Sequence, residues 1–317
     1  MLHAQTWDSN IWLCGWYKAT STRNGDSRPM LRKVFMHDLE IFRDGAYRTE
    51  SGKTIPLPVH GTHLDQARMF SSPIALPQQY EKHDTVIEVI EQDCIEVLAG
   101  MIEQGFNPAI LNMASLYHPG GGVLDGSSAQ EEDLCRRSTL AVSLYQFSLT
   151  GGKHGDLAVL AGVKRRAERY PMDNLSGGIY SPGITFFRTS RGQGYALLEK
   201  PFSAAVVSVA ALNYNTKHGH STLEEGKIPE SDKPIIKEKM RTILRIGALN
   251  GHDSMVLGAF GCGAFCTPPA QQARLFHQVI DEPEFHGRFR KLAFAIIDSP
   301  NSNNYKPFSK EFTAKSK

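Results

Sequence analysis

From Thr85 onward, short apolar runs alternate with amphipathic stretches, and that alternation leaves few folds open to the chain. The segment "TVIEVIEQDCIEVLAGMIEQG" predicts a strand and then a helix that stops at Gly105, and "NPAILNMAS" predicts a second strand running through Asn112. Strand, helix, strand is a βαβ unit. Downstream, "GITFFRT" and "AAVVSVAAL" read as strands, the second with the small apolar composition of a buried central strand. "IIKEKMRTILRIGALNG" reads as a helix, "SMVLGAF" as a strand, "PPAQQARLFHQVI" as a helix starting on its prolines, and "KLAFAIID" as a last strand. "AQEEDLCRRSTLAVSLYQFSL" predicts one continuous helix, "NYNTKHGHSTLEEGKIPESDKP" a surface loop and "FTAKSK" a frayed tail. The expected architecture is a three-layer α/β sandwich, with ligands where loops leave the carboxyl ends of strands.

Ahead of this pattern lies "MLRKVFMHDLEIFRDG", with Leu31, Val34, Phe35, Leu39 and Phe42 at helical spacing and a stop at Gly45. It follows a polar arm carrying Trp7, Trp12 and Trp16, for which packing on the body is favoured over a partner surface. Residues 1–55 are therefore read as an arm and accessory helix packed on the body, and 56–317 as the main domain. A net charge of +2 over 317 residues argues for neither a nucleic-acid groove nor a membrane patch. Five scattered cysteines form no disulfide framework, and no secretory leader or long apolar run is present, so a cytoplasmic or nuclear protein is expected.

Two glycine loops follow strands. Gly120, Gly121 and Gly122 lie in "HPGGGV", and Gly261 and Gly263 lie in "GAFGCGAFC". Consecutive glycines let backbone N–H groups approach an anion, and a following helix N-terminus adds about half a positive charge. A diphosphate is the natural guest, although glycines alone are equally served by a tight turn. Glu131 and Glu132 follow the first loop after a short spacer. Ser128 and Glu131 fit a capping box, the structural alternative to a catalytic role. Adjacent helical residues point about 100° apart, so the two carboxylates are expected to serve different groups.

The segment "NMASLYHPGGGVLDGSSAQEEDLCRRSTL" resembles the signature of poly(ADP-ribose) glycohydrolases of the compact microbial type, in which a glycine triplet precedes Gln-Glu-Glu. "SVAALN", "GAFGCGAF" and "AFAIID" extend the resemblance over roughly residues 32–298. It departs at Cys266 and Thr267, where glycine and asparagine are expected, and in the first 30 residues. The resemblance implies a macrodomain-like α/β/α sandwich with a mixed central sheet and an N-terminal helical extension. It implies Glu132 as the catalytic acid, Glu131 as a partner for ribose hydroxyls, Gln130 as a residue positioning the loop, and Asn112 as a contact to the same ribose. Gly120, Gly121, Gly122 and Val123 would enclose the diphosphate together with Gly261, Cys262, Gly263, Ala264 and Phe265, with Phe265 packing on a ribose. The implied reaction is hydrolysis of the O-glycosidic bonds between ADP-ribose units, releasing ADP-ribose, with one carboxylate acting as acid and then as base. A helix N-terminus favours the charged carboxylate, so such an acid needs burial, a neighbouring negative charge or the substrate's phosphates to hold its proton.

Other readings remain open at this point. A reader module would bind ADP-ribose without turnover, and a hydrolase of mono-ADP-ribosylated protein or nucleic acid would share the same loops. No cofactor and no metal are expected, because Cys262 and Cys266 lack a second ligand pair and the histidines of "HGTH" and "KHGH" lack carboxylate company. "TGGKHGD" reads as a turn, and "KRRAER" as a solvated surface helix that could also help hold a polyanion. The expected partners are poly(ADP-ribose) or an ADP-ribosylated macromolecule as substrate and ADP-ribose as product, with no membrane and a monomeric chain.

Overall fold

The computed structural model describes residues 5–21, 25–57, 59, 63–217, 219–298 and 302–313. His60, His218 and the tail beyond Thr313, each singled out above, lie outside the described residues. In chain order the elements are β1 (Gln5–Thr6), α1 (Ser9–Thr20), α2 (Arg28–Asp44), β2 (Ala46–Arg48), β3 (Thr54–Pro56) and β4 (Arg68–Phe70). There follow β5 (Val86–Ile90), α3 (Cys94–Glu103), β6 (Pro108–Met113), α4 (Gln130–Arg137), α5 (Leu140–Tyr145) and α6 (Leu157–Leu160). The chain continues through β7 (Gly178–Arg188), β8 (Leu197–Val209), α7 (Lys233–Leu249), β9 (Ser254–Leu257), α8 (Pro269–Ile280), β10 (Lys291–Ala295) and α9 (Tyr305–Thr313). The expected fold class holds: a seven-stranded mixed sheet, ordered β4-β7-β8-β6-β9-β10-β5, is accompanied by helices, and α1 and α2 form an N-terminal helical extension. A small sheet, β1-β2-β3, was not expected from the sequence.

The chain divides into two compact units. One comprises Met69–Leu116, Met172–Tyr180 and Ala205–Lys317. Here β6 pairs in parallel with Ala205–Val209 of β8 and with β9, and β10 pairs in parallel with β9 and β5. The βαβ reading of residues 85–115 is met by β5, α3 and β6, and Asp93 caps α3 by accepting from the N–H groups of Ile95 and Glu96. Val207, Met240, Ile243, Phe276, Phe294 and Phe308 belong to one buried cluster. Each such large side chain contributes about 1.5–3 kcal/mol on burial, which is why these apolar runs form the unit's core.

The other unit comprises Met1–Arg68, Tyr117–Pro171 and Ser181–Ala204. Helix α2 ends at Gly45, whose φ of +68° suits glycine and whose N–H donates to the Ile41 carbonyl. Of the arm's three tryptophans, Trp16 is partly exposed. Trp7 and Trp12 are buried, with their indole N–H groups donating to the Gly194 carbonyl at 2.8 Å and the Met30 carbonyl at 3.0 Å. Part of that arm is the helix α1, which its polar composition did not suggest.

Two expectations are corrected. The single helix over 129–149 is two helices, because Ser138 is extended (φ −152°) and β7 captures the backbone beside it. Thr139 N–H donates to the Thr185 carbonyl, and Thr185 N–H returns to the Thr139 hydroxyl, both at 3.0 Å. "KRRAER" is not a helix: the Arg166 N–H donates to the Gln146 carbonyl at 2.7 Å, and its guanidinium to Gln146 Oε1 and the Leu64 carbonyl.

Candidate active site

The first glycine loop occupies the unit that holds α4. Gly120 and Gly121 have φ of +73° and +57°, a region L side chains rarely enter. A Cβ on Gly121 would lie 2.4 Å from Glu132 Oε1 and 2.9 Å from Glu131 Oε2, and one on Gly122 would lie 2.4 Å from the Ser127 hydroxyl. The triplet is therefore required by close approach as well as by conformation. It also shows both carboxylates closing on one backbone position, which the expected 100° divergence along α4 had not anticipated. Flexible glutamate stems let two neighbouring residues turn to the same point.

The capping-box alternative is not what forms. Ala129 precedes α4 with no side-chain cap, so Gln130, Glu131 and Glu132 fill the first turn without Ser128 closing it. Glu132 Oε1 instead accepts from the Gly122 N–H at 2.8 Å. Its Oε2 is buried and has no hydrogen-bond partner among the described residues. Glu131 and Glu132 are only 3% and 7% exposed, unusual for carboxylates. Val123 is buried in the turn that continues the triplet.

The surroundings of the pair were not named from the sequence. A Cβ on Gly120 would touch Tyr145, Cys135 and Val123. Burial, and then the charge of Glu131, push the Tyr170 hydroxyl well above its ordinary range. Burial likewise pushes up the Cys135 thiol and the Tyr145 hydroxyl, with Glu131 contributing to both. The Tyr145 and Tyr170 hydroxyls make no hydrogen bond among the described residues. Behind the loop, fully buried Arg136 donates to the Ser127 carbonyl at 2.6 Å, tying α4 to the turn it follows. Burial alone would raise the Asp133 carboxyl, but Arg137 and Arg136 hold it below its ordinary range, and it accepts from Tyr195 at 2.8 Å. Arg136 and Arg137 lie in the quoted "LCRRSTL" motif, yet a pair of arginines reads as surface. Only their spacing of four from Glu132 and Asp133 hinted at an inward face.

Helix α2 supports this loop. A Cβ on Gly126, where φ is +77°, would lie 2.1 Å from the Arg28 carbonyl oxygen, so the start of α2 rests on the turn after the triplet. Asp38 of the same helix meets Arg188 at 2.7 Å, both fully buried.

The remaining expected residues lie in the other unit. Asn112, on β6, is buried and donates through its amide to the Ser208 hydroxyl at 3.0 Å. In the second loop, Gly261 has φ of +78°, and its carbonyl accepts from the Thr267 N–H at 3.0 Å. The Phe265 carbonyl accepts from the Tyr214 N–H, and the Ala264 carbonyl from the Asn215 amide. Cys262 is half-buried, while Gly263 is exposed. Cys266 has φ of +59°, which explains why glycine is the expected residue at that position. Thr267, the other departure, is buried, and its hydroxyl would lie 2.7 Å from a Cβ on Gly261. Among the described residues no group of three His, Cys, Asp or Glu side chains could hold a metal ion, and no helix is long and apolar enough to cross a membrane.

Comparison with known proteins bears on this geometry. The family model for the microbial-type PARG (poly(ADP-ribose) glycohydrolase) catalytic domain matches residues 36–189, a span holding Asn112, the glycine triplet and Gln130–Glu132 but not the second loop. Among solved structures, poly(ADP-ribose) glycohydrolase from Thermomonospora curvata is 28% identical, with a TM-score of 0.68, over 89% of this chain and 99% of that one. The same enzyme bound to the inhibitor ADP-HPD matches at 27% identity and a TM-score of 0.67 over the same shares. The enzyme from Deinococcus radiodurans, in complex with ADP-ribose, matches at 26% identity and a TM-score of 0.59 over 80% of this chain and 96% of that one. No match is found among curated proteins.

Proposed function

We infer that this chain, which belongs to the microbial-type poly(ADP-ribose) glycohydrolases, hydrolyses the O-glycosidic ribose–ribose bonds of poly(ADP-ribose) and releases ADP-ribose. The observation that carries the assignment of roles is the state of Glu132. One oxygen is held by the Gly122 N–H, and the other is buried behind the glycine triplet with no hydrogen-bond partner among the described residues. Because Oε1 already accepts a hydrogen bond, Oε2 is the oxygen that carries the catalytic proton. Protonation of the departing ribose oxygen by Oε2–H breaks the C–O bond and leaves an oxocarbenium-like centre. Water adds to that centre and returns its proton to Glu132, so each bond cleaved consumes one water. Glu132 is buried, and its carboxylate and that of Glu131 close on the same backbone position at Gly121.

Glu131 is assigned to the ribose hydroxyls, Gln130 to positioning the loop, and Gly120 to Val123 to the diphosphate through their backbone. Asn112 and Gly261 to Phe265 are assigned to ADP-ribose binding on the strength of the loop resemblance. Parallel β6 and β9, each followed by a glycine loop, support a macrodomain-like description of the fold. The first 55 residues are read as a supporting arm, the chain as a monomer, and its odd number of scattered cysteines as a sign of the cytoplasm or nucleus.

The test is release of free ADP-ribose from poly(ADP-ribose) by the purified protein beside Glu132→Gln. Loss of a general acid predicts a fall in kcat of about 100-fold or more, with ADP-ribose binding retained. Binding without turnover in the unsubstituted protein would leave a reader module. Turnover only on mono-ADP-ribosylated substrates would move the activity to that class.

A further inference from the structure

A segment beside the first glycine loop carries a net positive charge. Residues 153–169 carry five cationic side chains (Lys153, Lys164, Arg165, Arg166 and Arg169) against Asp156 and Glu168, whereas the whole chain has a net charge of only +2. The segment begins at the loop. Lys153 Nζ meets Asp125 Oδ1 at 2.6 Å and His154 Nε2 lies 3.4 Å from Oδ2, Asp125 being the last residue of the turn that continues the triplet. Lys153 holds the Asp125 carboxyl below its ordinary range. The segment ends at Tyr170, the buried residue that feels the charge of Glu131. It therefore runs from the glycine loop to the wall of the carboxylate pair.

It is also fixed in place. Arg165 pairs with Asp156 at 2.9 Å, the Arg166 guanidinium donates to neutral oxygens of Gln146 and Leu64, and the Tyr170 N–H donates to the Phe147 carbonyl at 2.9 Å. Among the described residues no carboxylate neutralises Lys164, Arg166 or Arg169, and Lys164 is exposed. Cations without a carboxylate partner on one segment leave it a local positive potential that favours a polyanion.

Resting on the glycohydrolase reading, we propose that residues 153–169 form a subsite for the diphosphate of the polymer unit next to the one being released. ADP-ribose brings only the diphosphate already assigned to the glycine loops, whereas a chain brings two further negative charges per additional unit. The segment thus favours long chains over single units at the same catalytic centre.

The test compares binding in a Glu132→Gln background, where chains are not consumed, with and without Lys164→Glu and Arg169→Glu. Poly(ADP-ribose) chains of defined length and ADP-ribose are the two probes, each at two salt concentrations. Loss of two phosphate contacts predicts a fall of about tenfold in chain affinity at low salt and a salt slope shallower by about 1.4, at roughly 0.7 per contact. ADP-ribose affinity is expected to stay unchanged, and Lys164→Arg with Arg169→Lys to bind chains as the parent does. Unchanged chain affinity and slope would overturn the proposal, as would an equal loss for chains and ADP-ribose. Hydrolysis of chains by the unsubstituted protein is read separately: its absence would sink the activity while leaving the binding comparison to decide the subsite.

Discussion

Gly121 is the residue on which conformation and chemistry meet. Its φ of +57° and the two carboxylate oxygens inside the reach of any Cβ mean that even alanine must displace Glu131, Glu132 or the loop itself. Gly121→Ala is expected to cost about 1–2 kcal/mol for the left-handed backbone alone and to lower kcat far more than stability, since Oε1 of Glu132 loses its place against Gly122. Circular dichroism, thermal melting and ADP-ribose release check this together, and activity within twofold of the parent would contradict it. Much of the site at this scale was legible because the triplet and the glutamates share one continuous segment. Tyr145, Tyr170 and Cys135 were not, because nothing local marks a tyrosine or cysteine as facing a carboxylate. Their roles arise from side chains meeting across α4, α5 and the loop before Pro171.

At the scale of elements, the first glycine loop depends on side chains that are assigned no contact with substrate. Helix α2 rests on Gly126 and reaches Arg188 of β7 through Asp38, while Arg136 of α4 clamps Ser127. Removing one partner of a buried pair is far worse than removing both, so Arg188→Met is expected to cost about 3–5 kcal/mol and added Asp38→Leu to recover much of it. The pH dependence has a definite sign. Burial pushes the Asp38 carboxyl up to about 7 even with Arg188 beside it. A group raised in the folded state contributes stability below its unfolded value, and that contribution is lost as pH rises through the folded one. Without Arg188 the folded value rises further, so the deficit of the single variant should be largest above pH 7 and shrink toward pH 5. Urea unfolding at several pH values measures this, and a deficit that grows on acidification would contradict it. Element positions were largely readable from alternation and helix stops. The break between α4 and α5 was not, because its cause is the backbone of β7, remote in sequence and invisible to any local pattern.

Over the whole molecule, the family match ends at residue 189 while the structural likeness extends over most of the chain. The identity of the chemistry therefore rests on the first glycine loop and α4. The second loop, with its left-handed Gly261 and Cys266, stands outside the matched span and must be judged by its own variants. Buried Glu132 is proposed to deliver a proton to the leaving ribose through Oε2, which has no partner among the described residues. The most direct measurement compares Glu132→Gln with the parent on poly(ADP-ribose) and on an ADP-ribose conjugate whose phenolate-type leaving group departs without protonation. A loss of about 100-fold or more is expected on the polymer, with a much smaller loss on the activated conjugate. Equal losses on both substrates would contradict it, because Glu132 would then be holding the substrate or the loop rather than supplying the proton.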